Sequence, residues 1–158
     1  MGLIGKHIGE SFEERRGLHN EWLSSSGDSG KRLEVEGLKA DRCEGLSYIN
    51  LRGIKFTLCE FSYAEMKGTN FDGCEFRFCY FEYMNLCDSR FDDVRFYSCE
   101  FKHVSFNETR LVGTEFASCI FQYVSMREPL VDGISFEECV NYCCNRLFSF
   151  EGIETFLD

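Results

Sequence analysis

The sequence repeats with a period of five residues. A large apolar residue occupies every fifth position from Leu46 to Phe136 without a gap. A helix of 3.6 residues per turn would spread such positions around its circumference, and a strand would place successive ones on opposite faces. We therefore expect a chain that turns a corner every five residues and directs the same positions inward on each short side.

A second period of 20 residues appears in the identity of the side chains. Cysteines recur at this interval, all at the position two before the centre of one side; they are Cys59, Cys79, Cys99, Cys119 and Cys139. The centres that follow the first four are Phe61, Phe81, Phe101 and Phe121. Four sides of five residues close a square coil of 20, so both sets should form buried ladders with rungs ~4.8 Å apart. The repeated region would hold about five such coils.

The five-residue units also carry a family resemblance. Asn50–Ile54, Asn70–Cys74 and Asn85–Ser89 read NLRGI, NFDGC and NLCDS, and they resemble the A(D/N)LXX unit of pentapeptide repeat proteins. The resemblance covers residues 46–138 and implies an all-β fold, the right-handed quadrilateral β-helix. It implies no single activity, because that family carries many roles on one scaffold.

The N-terminal segment, residues 1–30, precedes the repeats. A short helix is possible over residues 11–23, where Ser11 and Glu14 have the spacing of a capping box. The Ser- and Gly-rich stretch after it has the composition of a linker. We expect this segment to cap the solenoid or to dock elsewhere.

Residues 31–140 should form the β-helix, with an irregular first coil because the five-residue phase shifts just before Leu46. The repeat decays after residue 140, yet residues 141–158 remain rich in apolar side chains. A solenoid exposes an apolar cross-section at each end, so this tail predicts a cap or a dimerisation surface. The resemblance implies that a homodimer can form through it.

The sequence carries no recognised catalytic or metal motif. It lacks GxSxG, HExxH and a glycine-rich phosphate loop, so we expect no enzymatic activity, no catalytic residue and no cofactor. The cysteine ladder would hold its sulfurs in a line, whereas zinc needs four ligands that converge on one point. We expect small buried apolar side chains there and no metal. Whether Cys143 and Cys144 have a redox or metal role stays open.

One side of the predicted coil has an unusually apolar outer surface. Its candidate partner-binding residues are Tyr63, Tyr80, Tyr83, His103, Ile120 and Tyr123. Exposed apolar patches usually bind a partner. Two alternatives remain, since aromatic ladders also stabilise stacked strands, and the N-terminal segment with Leu18, Trp22 and Leu23 could cover this side.

The formal charge of −10 and the pI near 4.8 disfavour direct binding to nucleic-acid phosphates and are compatible with a basic partner. The apolar runs are too short to span a membrane, and the first residues lack the apolar core of a secretory signal. We therefore expect a cytoplasmic protein with reduced thiols.

These observations favour a non-enzymatic interaction module, a rigid acidic solenoid that presents side-chain ladders to a protein partner. The resemblance implies an alternative, a DNA-mimicking modulator of a bacterial type II topoisomerase that protects or inhibits gyrase. Basic side chains interleave with the acidic ones and no loop interrupts the repeats, which disfavours it. A second alternative is a secreted bacterial effector or a secretion-system accessory protein that docks through residues 1–30.

Overall fold

The computed structural model describes residues 2–144 and 153–156. The chain begins with two helices, α1 (Gly2–Ile8) and α2 (Phe12–Ser24), joined by one turn of 3-10 helix at Gly9–Ser11. A four-sided solenoid of about five coils follows. The predicted right-handed quadrilateral β-helix is confirmed.

Two parallel sheets form two sides of the solenoid. The first sheet contains β1 (Glu34–Glu36), β3 (Lys55–Thr57), β5 (Glu75–Arg77), β7 (Arg95–Tyr97), β10 (Glu115–Ala117) and β13 (Ser135–Glu137). The second contains β2 (Lys39–Asp41), β4 (Glu60–Ser62), β6 (Tyr80–Glu82), β8 (Glu100–Lys102), β11 (Ile120–Gln122), β14 (Cys139–Tyr142) and β15 (Ile153–Phe156). Another side pairs β9 (Arg110–Val112) with β12 (Leu130–Asp132), and isolated parallel bridges complete the coils.

Residues 20 apart are neighbours on successive coils, as the double period predicts. Phe76 pairs with Phe96 and Phe81 pairs with Phe101 in the β-ladders, and their rings stack with centroids 4.9 Å apart. The centres from Leu46 onward are buried, with one exception. Val131 is 38% exposed, because its strand β12 has no further strand on its outer edge among the described residues.

Several hydroxyl side chains enter the core at little cost because each donates a hydrogen bond to a carbonyl of the preceding coil. The Thr114 hydroxyl donates to the Phe91 carbonyl at 2.7 Å, and the Ser89 hydroxyl donates to the Met66 carbonyl at 2.9 Å. The Cys99 thiol repeats the pattern more weakly toward the Phe76 carbonyl, 3.5 Å away. This shared geometry explains why Cys, Ser and Thr can occupy the inward position two before each centre.

The first coil is one residue longer than the others. Val35 pairs with Phe56 and Ala40 pairs with Phe61, an offset of 21 residues where later coils have 20. The extra residue lies between Ala40 and Leu46, where Gly45 adopts a φ of +74°. The irregular first coil that the shifted phase predicts is therefore a local insertion at one corner.

The helices cover the first coil. Ile4 is buried over the open cross-section beside Leu38 and Leu46. Where the sequence predicts a helix over residues 11–23, the structure has α2, but Ser11 makes no side-chain capping bond. The 3-10 turn before α2 holds Ser11 near φ −79° and ψ 1°, so it lacks the extended conformation of a capping residue.

Three side chains from the helices bond to the unpaired backbone edge formed by Leu33 and β1. The His7 Nε2–H donates to the Glu36 carbonyl at 2.7 Å, and the Arg15 guanidinium donates to the Glu34 carbonyl. The Leu33 N–H donates to His19 Nδ1 at 3.0 Å. These bonds replace the backbone hydrogen bonds that a preceding coil would make. They protect an open strand edge that could otherwise pair with a strand of another molecule.

His19 makes this cap sensitive to acid. Its ring is 2% exposed; Nδ1 accepts from Leu33, and the Nε2–H donates to the Arg52 carbonyl at 3.0 Å, so the bound ring is neutral. Burial, more than the nearby Arg32 charge, lowers the pKa of His19. The folded state therefore binds this proton less readily than the unfolded state, and its stabilisation is complete above about pH 6.5 and declines as the pH falls below that value.

We expect urea denaturation of the cap to have a lower midpoint at pH 5.5 than at pH 7.5. Trp22, the single tryptophan, stacks on His19 with centroids 5.8 Å apart, so its fluorescence reports this region. His19→Asn, which keeps an acceptor but does not titrate, should lose most of the pH dependence, and His103→Gln should keep it. An equal pH dependence in His19→Asn would show that other groups are responsible.

Within the part of the chain that the structure describes, no helix is long and apolar enough to cross a membrane. The predicted role of residues 141–158 as a cap or dimer surface falls mostly outside the described residues. Of that segment, the structure describes residues 141–144 and strand β15, which adds one rung to the second sheet.

Candidate aromatic interaction face

We call the outward surface of the second sheet, with the two corners that flank it, the aromatic face. At one corner the predicted ladder is present: Tyr63 stacks on Tyr83 with ring centroids 4.8 Å apart, Tyr83 on His103 at 4.6 Å, and His103 on Tyr123 at 4.8 Å. The rings lie within 17° of parallel. Because each ring covers the next, the ladder presents ring edges and polar atoms to the outside.

A cation closes the N-terminal end of this ladder. The Arg42 guanidinium carbon lies 5.1 Å from the centre of the Tyr63 ring, in cation–π geometry. Cys143 occupies the corresponding corner one coil after Tyr123, with the same left-handed backbone. The Cys144 sulfur instead accepts a hydrogen bond from the Val124 N–H at 3.2 Å. Among the described residues, no group of His, Cys, Asp and Glu is arranged to hold a metal.

The opposite corner carries two apolar residues that the sequence reasoning missed. Leu58 and Phe78 are 55% and 59% exposed and lie on successive coils at the corner between the first and second sheets. The signal was available, since they are 20 residues apart and each immediately precedes a ladder cysteine. Coils two and three therefore have an aromatic face with apolar side chains on both corners.

All these corner residues have backbones in the left-handed region. The φ values are 54° at Leu58, 53° at Phe78 and 50° at both Tyr63 and Tyr83. Bulky residues are rare there, and each costs roughly 1–2 kcal/mol relative to ordinary backbone angles. Ring stacking offsets part of this cost in the tyrosine ladder, but an exposed Leu58 has no ring to stack. The exposure of apolar side chains on both corners of one sheet favours an interaction role.

The surface between the corners mixes apolar and charged side chains. Tyr80 and Ile120 share one outward row, but the register places Glu100 between them, so the apolar patch expected from the sequence is interrupted. In the neighbouring row, Lys102 pairs with Glu82 at 2.9 Å. The hydrogen bond from Lys102 lowers the pKa of Glu82.

The N-terminal segment does not cover the aromatic face, so that alternative is wrong. Trp22 and Leu23 pack instead on Gly53, at the corner that leads into the first sheet. A side chain on Gly53 would meet Leu23 at 2.8 Å and Trp22 at 3.0 Å. Because Gly53 has no side chain, α2 can pack against that corner. The aromatic ladder therefore stays exposed.

The other sides carry ion pairs between successive coils. Arg95 pairs with Glu115 at 3.1 Å, and Arg110 pairs with Asp92 at 2.6 Å. The predicted cysteine ladder lies inside, with all five thiols buried. Burial also raises the pKa of the neighbouring Cys74 to about 12, which keeps its thiol protonated and poorly nucleophilic.

Comparison with known proteins agrees with the fold. Residues 46–77 and 74–113 match the family model of pentapeptide repeats, in eight copies. No curated protein matches the sequence significantly.

Three solved structures are similar to this chain. HetL, a pentapeptide repeat protein involved in heterocyst differentiation regulation from the cyanobacterium Nostoc sp. strain PCC 7120, has a TM-score of 0.53 and 11% identity over 81% of this chain and 52% of that chain. This chain thus spans about half the length of HetL, and the likeness shows the fold alone.

The other two structures have lower scores. Rfr23 from Cyanothece 51142 is 9% identical over 66% of this chain and 88% of its own, with a TM-score of 0.36. QnrB1, a plasmid-mediated fluoroquinolone resistance protein, is 16% identical over 80% of this chain and 90% of its own, with a TM-score of 0.35.

Proposed function

We propose, from the premise that this chain is a pentapeptide repeat protein, that it is a non-enzymatic module that binds another protein on the aromatic face. The observation that carries the proposal is the pair of apolar corners, Leu58 and Phe78 on one side and Tyr63 and Tyr83 on the other. These apolar side chains are exposed on both corners of one sheet, and exposed apolar patches usually bind a partner.

The shape of the face supports a protein as the partner. The rigid β-ladders hold the corners in fixed positions, so little conformational entropy is lost when a partner orders them. Exposed aromatic side chains of this kind are typical binding hot spots. The buried thiols and the ion-paired carboxylates elsewhere favour a structural role for those groups, which supports a function without catalysis.

We expect the double variant Phe78→Ser/Tyr83→Ser to bind the natural partner at least tenfold more weakly, because each side chain would lose buried area at the interface. The partner would be captured from the native host with the full chain, and its affinity then measured by calorimetry. Thermal melting would check that the variant remains folded, as expected for exposed positions.

Tyr48→Ser is the matched control. Tyr48 is also a tyrosine at a left-handed corner, with a φ of 59° and 73% exposure, but it lies on a different corner of the solenoid. Its variant should bind normally. Equal affinities for the wild type and the Phe78/Tyr83 variant would place the partner site elsewhere.

The two alternatives remain proposals with less support. A DNA mimic needs uninterrupted negative charge, whereas Arg95 and Arg110 pair with the acids of neighbouring coils. A supercoiling assay with gyrase tests that alternative directly. A secretion role for residues 1–30 competes with the cap, since His7 and Arg15 are already bonded to β1 and His19 to Leu33 just before it. A homodimer through residues 141–158 stays a proposal, which sedimentation analysis tests.

A further inference from the structure

One carboxylate in the middle of the aromatic face stands without a cation. Glu100 opens β8 and lies between Tyr80 and Ile120 in the outward row of the second sheet. Its side chain is partly exposed. Among the described residues no Lys, Arg or His pairs with it.

Two other acids of this sheet behave differently. Glu60 pairs with Lys39 at 3.1 Å, and Glu82 pairs with Lys102 at 2.9 Å. Lys102 is the cation nearest to Glu100 along β8, and it is already engaged with Glu82. Glu100 is therefore left without a cation near the centre of the face, whereas Glu60 and Glu82 on the same sheet are paired.

The inner rings of the aromatic ladder cannot supply a site for a partner's cation. Cations bind the faces of aromatic rings, and both faces of Tyr83 are covered, by Tyr63 and by His103. The free face at the N-terminal end of the ladder is taken by Arg42. Ring edges carry the positive part of the quadrupole and repel cations. A cation that docks near the centre of this face, between Tyr80 and Ile120, thus has Glu100 as its counter-ion.

We propose that the segment that binds the aromatic face carries an arginine or lysine flanked by apolar residues, and that Glu100 pairs with this cation. This inference rests on the proposed function. The apolar neighbours on the partner would lie against Tyr80, Ile120 and the two corners. Because the pair would be shielded from water by these contacts, it would set specificity for a basic segment, and the chain's charge of −10 would speed its approach.

The test uses random peptides displayed on phage and selected against the folded full chain at near-physiological salt. Peptides that depend on the face should be enriched in Arg or Lys next to apolar residues. A selected peptide should bind Glu100→Gln at least tenfold more weakly, and Glu100→Lys should select peptides with Asp or Glu instead.

Glu115→Gln is the matched control, because it makes the same change in net charge on another side of the solenoid. It should leave peptide affinity within about twofold, since general attraction by the net charge is weak at this salt concentration. Equal losses in Glu100→Gln and Glu115→Gln would reduce the effect to overall charge and overturn the inference. A selected pool without cationic residues would also overturn it.

The Phe78→Ser/Tyr83→Ser variant separates the two proposals. Peptides that lose binding in this variant but not in Glu100→Gln would leave the face as a binding surface and reject the cation. Peptides that are insensitive to both variants, or a selection that yields no peptide dependent on the face, would count against both proposals.

Discussion

Replacing Phe101 with alanine is expected to lower the free energy of unfolding by about 3–5 kcal/mol, the range for buried aromatic truncations. Its ring is fully buried and stacks on Phe81 at 4.9 Å and on Phe121 at 5.1 Å. It also meets Phe96 edge-on, with centroids 5.2 Å apart. Rigid coils above and below cannot close around the lost ring, so a cavity should remain. Urea denaturation followed by circular dichroism measures the loss.

Phe78→Ala is the control for this experiment, because it makes the same chemical change at an exposed corner. It should alter the free energy of unfolding by no more than about 0.5 kcal/mol. Similar losses for the two variants, or a loss below about 1 kcal/mol for Phe101→Ala, would contradict the assignment of Phe101 to the core.

Among the glycines that the structure describes, Gly30 should tolerate an added methyl group least. Gly30 has a φ of +76° in the turn between α2 and β1. An added Cβ would collide with the Leu18 carbonyl oxygen and lie 2.6 Å from the Trp22 nitrogen, both backbone atoms of α2 that cannot move independently. The left-handed angle and the overlap together should cost about 2–5 kcal/mol and push α2 away from the first coil.

Trp22 fluorescence during urea denaturation measures this effect, because the tryptophan lies at the damaged contact. Gly73→Ala is the matched control, with a similar φ of +67°; there the added Cβ would meet only the Gly53 Cα, 3.9 Å away. Its cost should stay at about 1–2 kcal/mol, that of the backbone angle alone. If the two glycine variants are equally destabilised, the packing of Gly30 on α2 is not important for stability.

The sequence predicted the aromatic face only in part. The 20-residue recurrence correctly placed Tyr63, Tyr83, His103 and Tyr123 in one stacked column. It also joined Tyr80 to Ile120 as one patch, although the same recurrence puts Glu100 between them. The prediction grouped the two apolar residues of this row and did not take account of Glu100, which lies on the coil between them.

Leu58 and Phe78 were missed for a different reason. The pattern of buried centres and the tyrosine row predict nothing about the residue that immediately precedes each inward cysteine. The structure shows that this residue turns the corner with a positive φ and points into solvent. Exposure at a strained corner is a property of the backbone path, which the apolar pattern does not encode.

By itself, the sequence determined the solenoid, its four sides and the contents of its core. Each rung repeats the one before it, so contacts such as Phe81 on Phe101 follow from local spacing alone. Only the tertiary structure decided the ends and the accessible surface. The bond between His19 and the Leu33 N–H, and the packing of Trp22 on Gly53, join segments that share no period. Such contacts depend on where a helix docks in three dimensions, and a repeating pattern carries no information about the place where it stops.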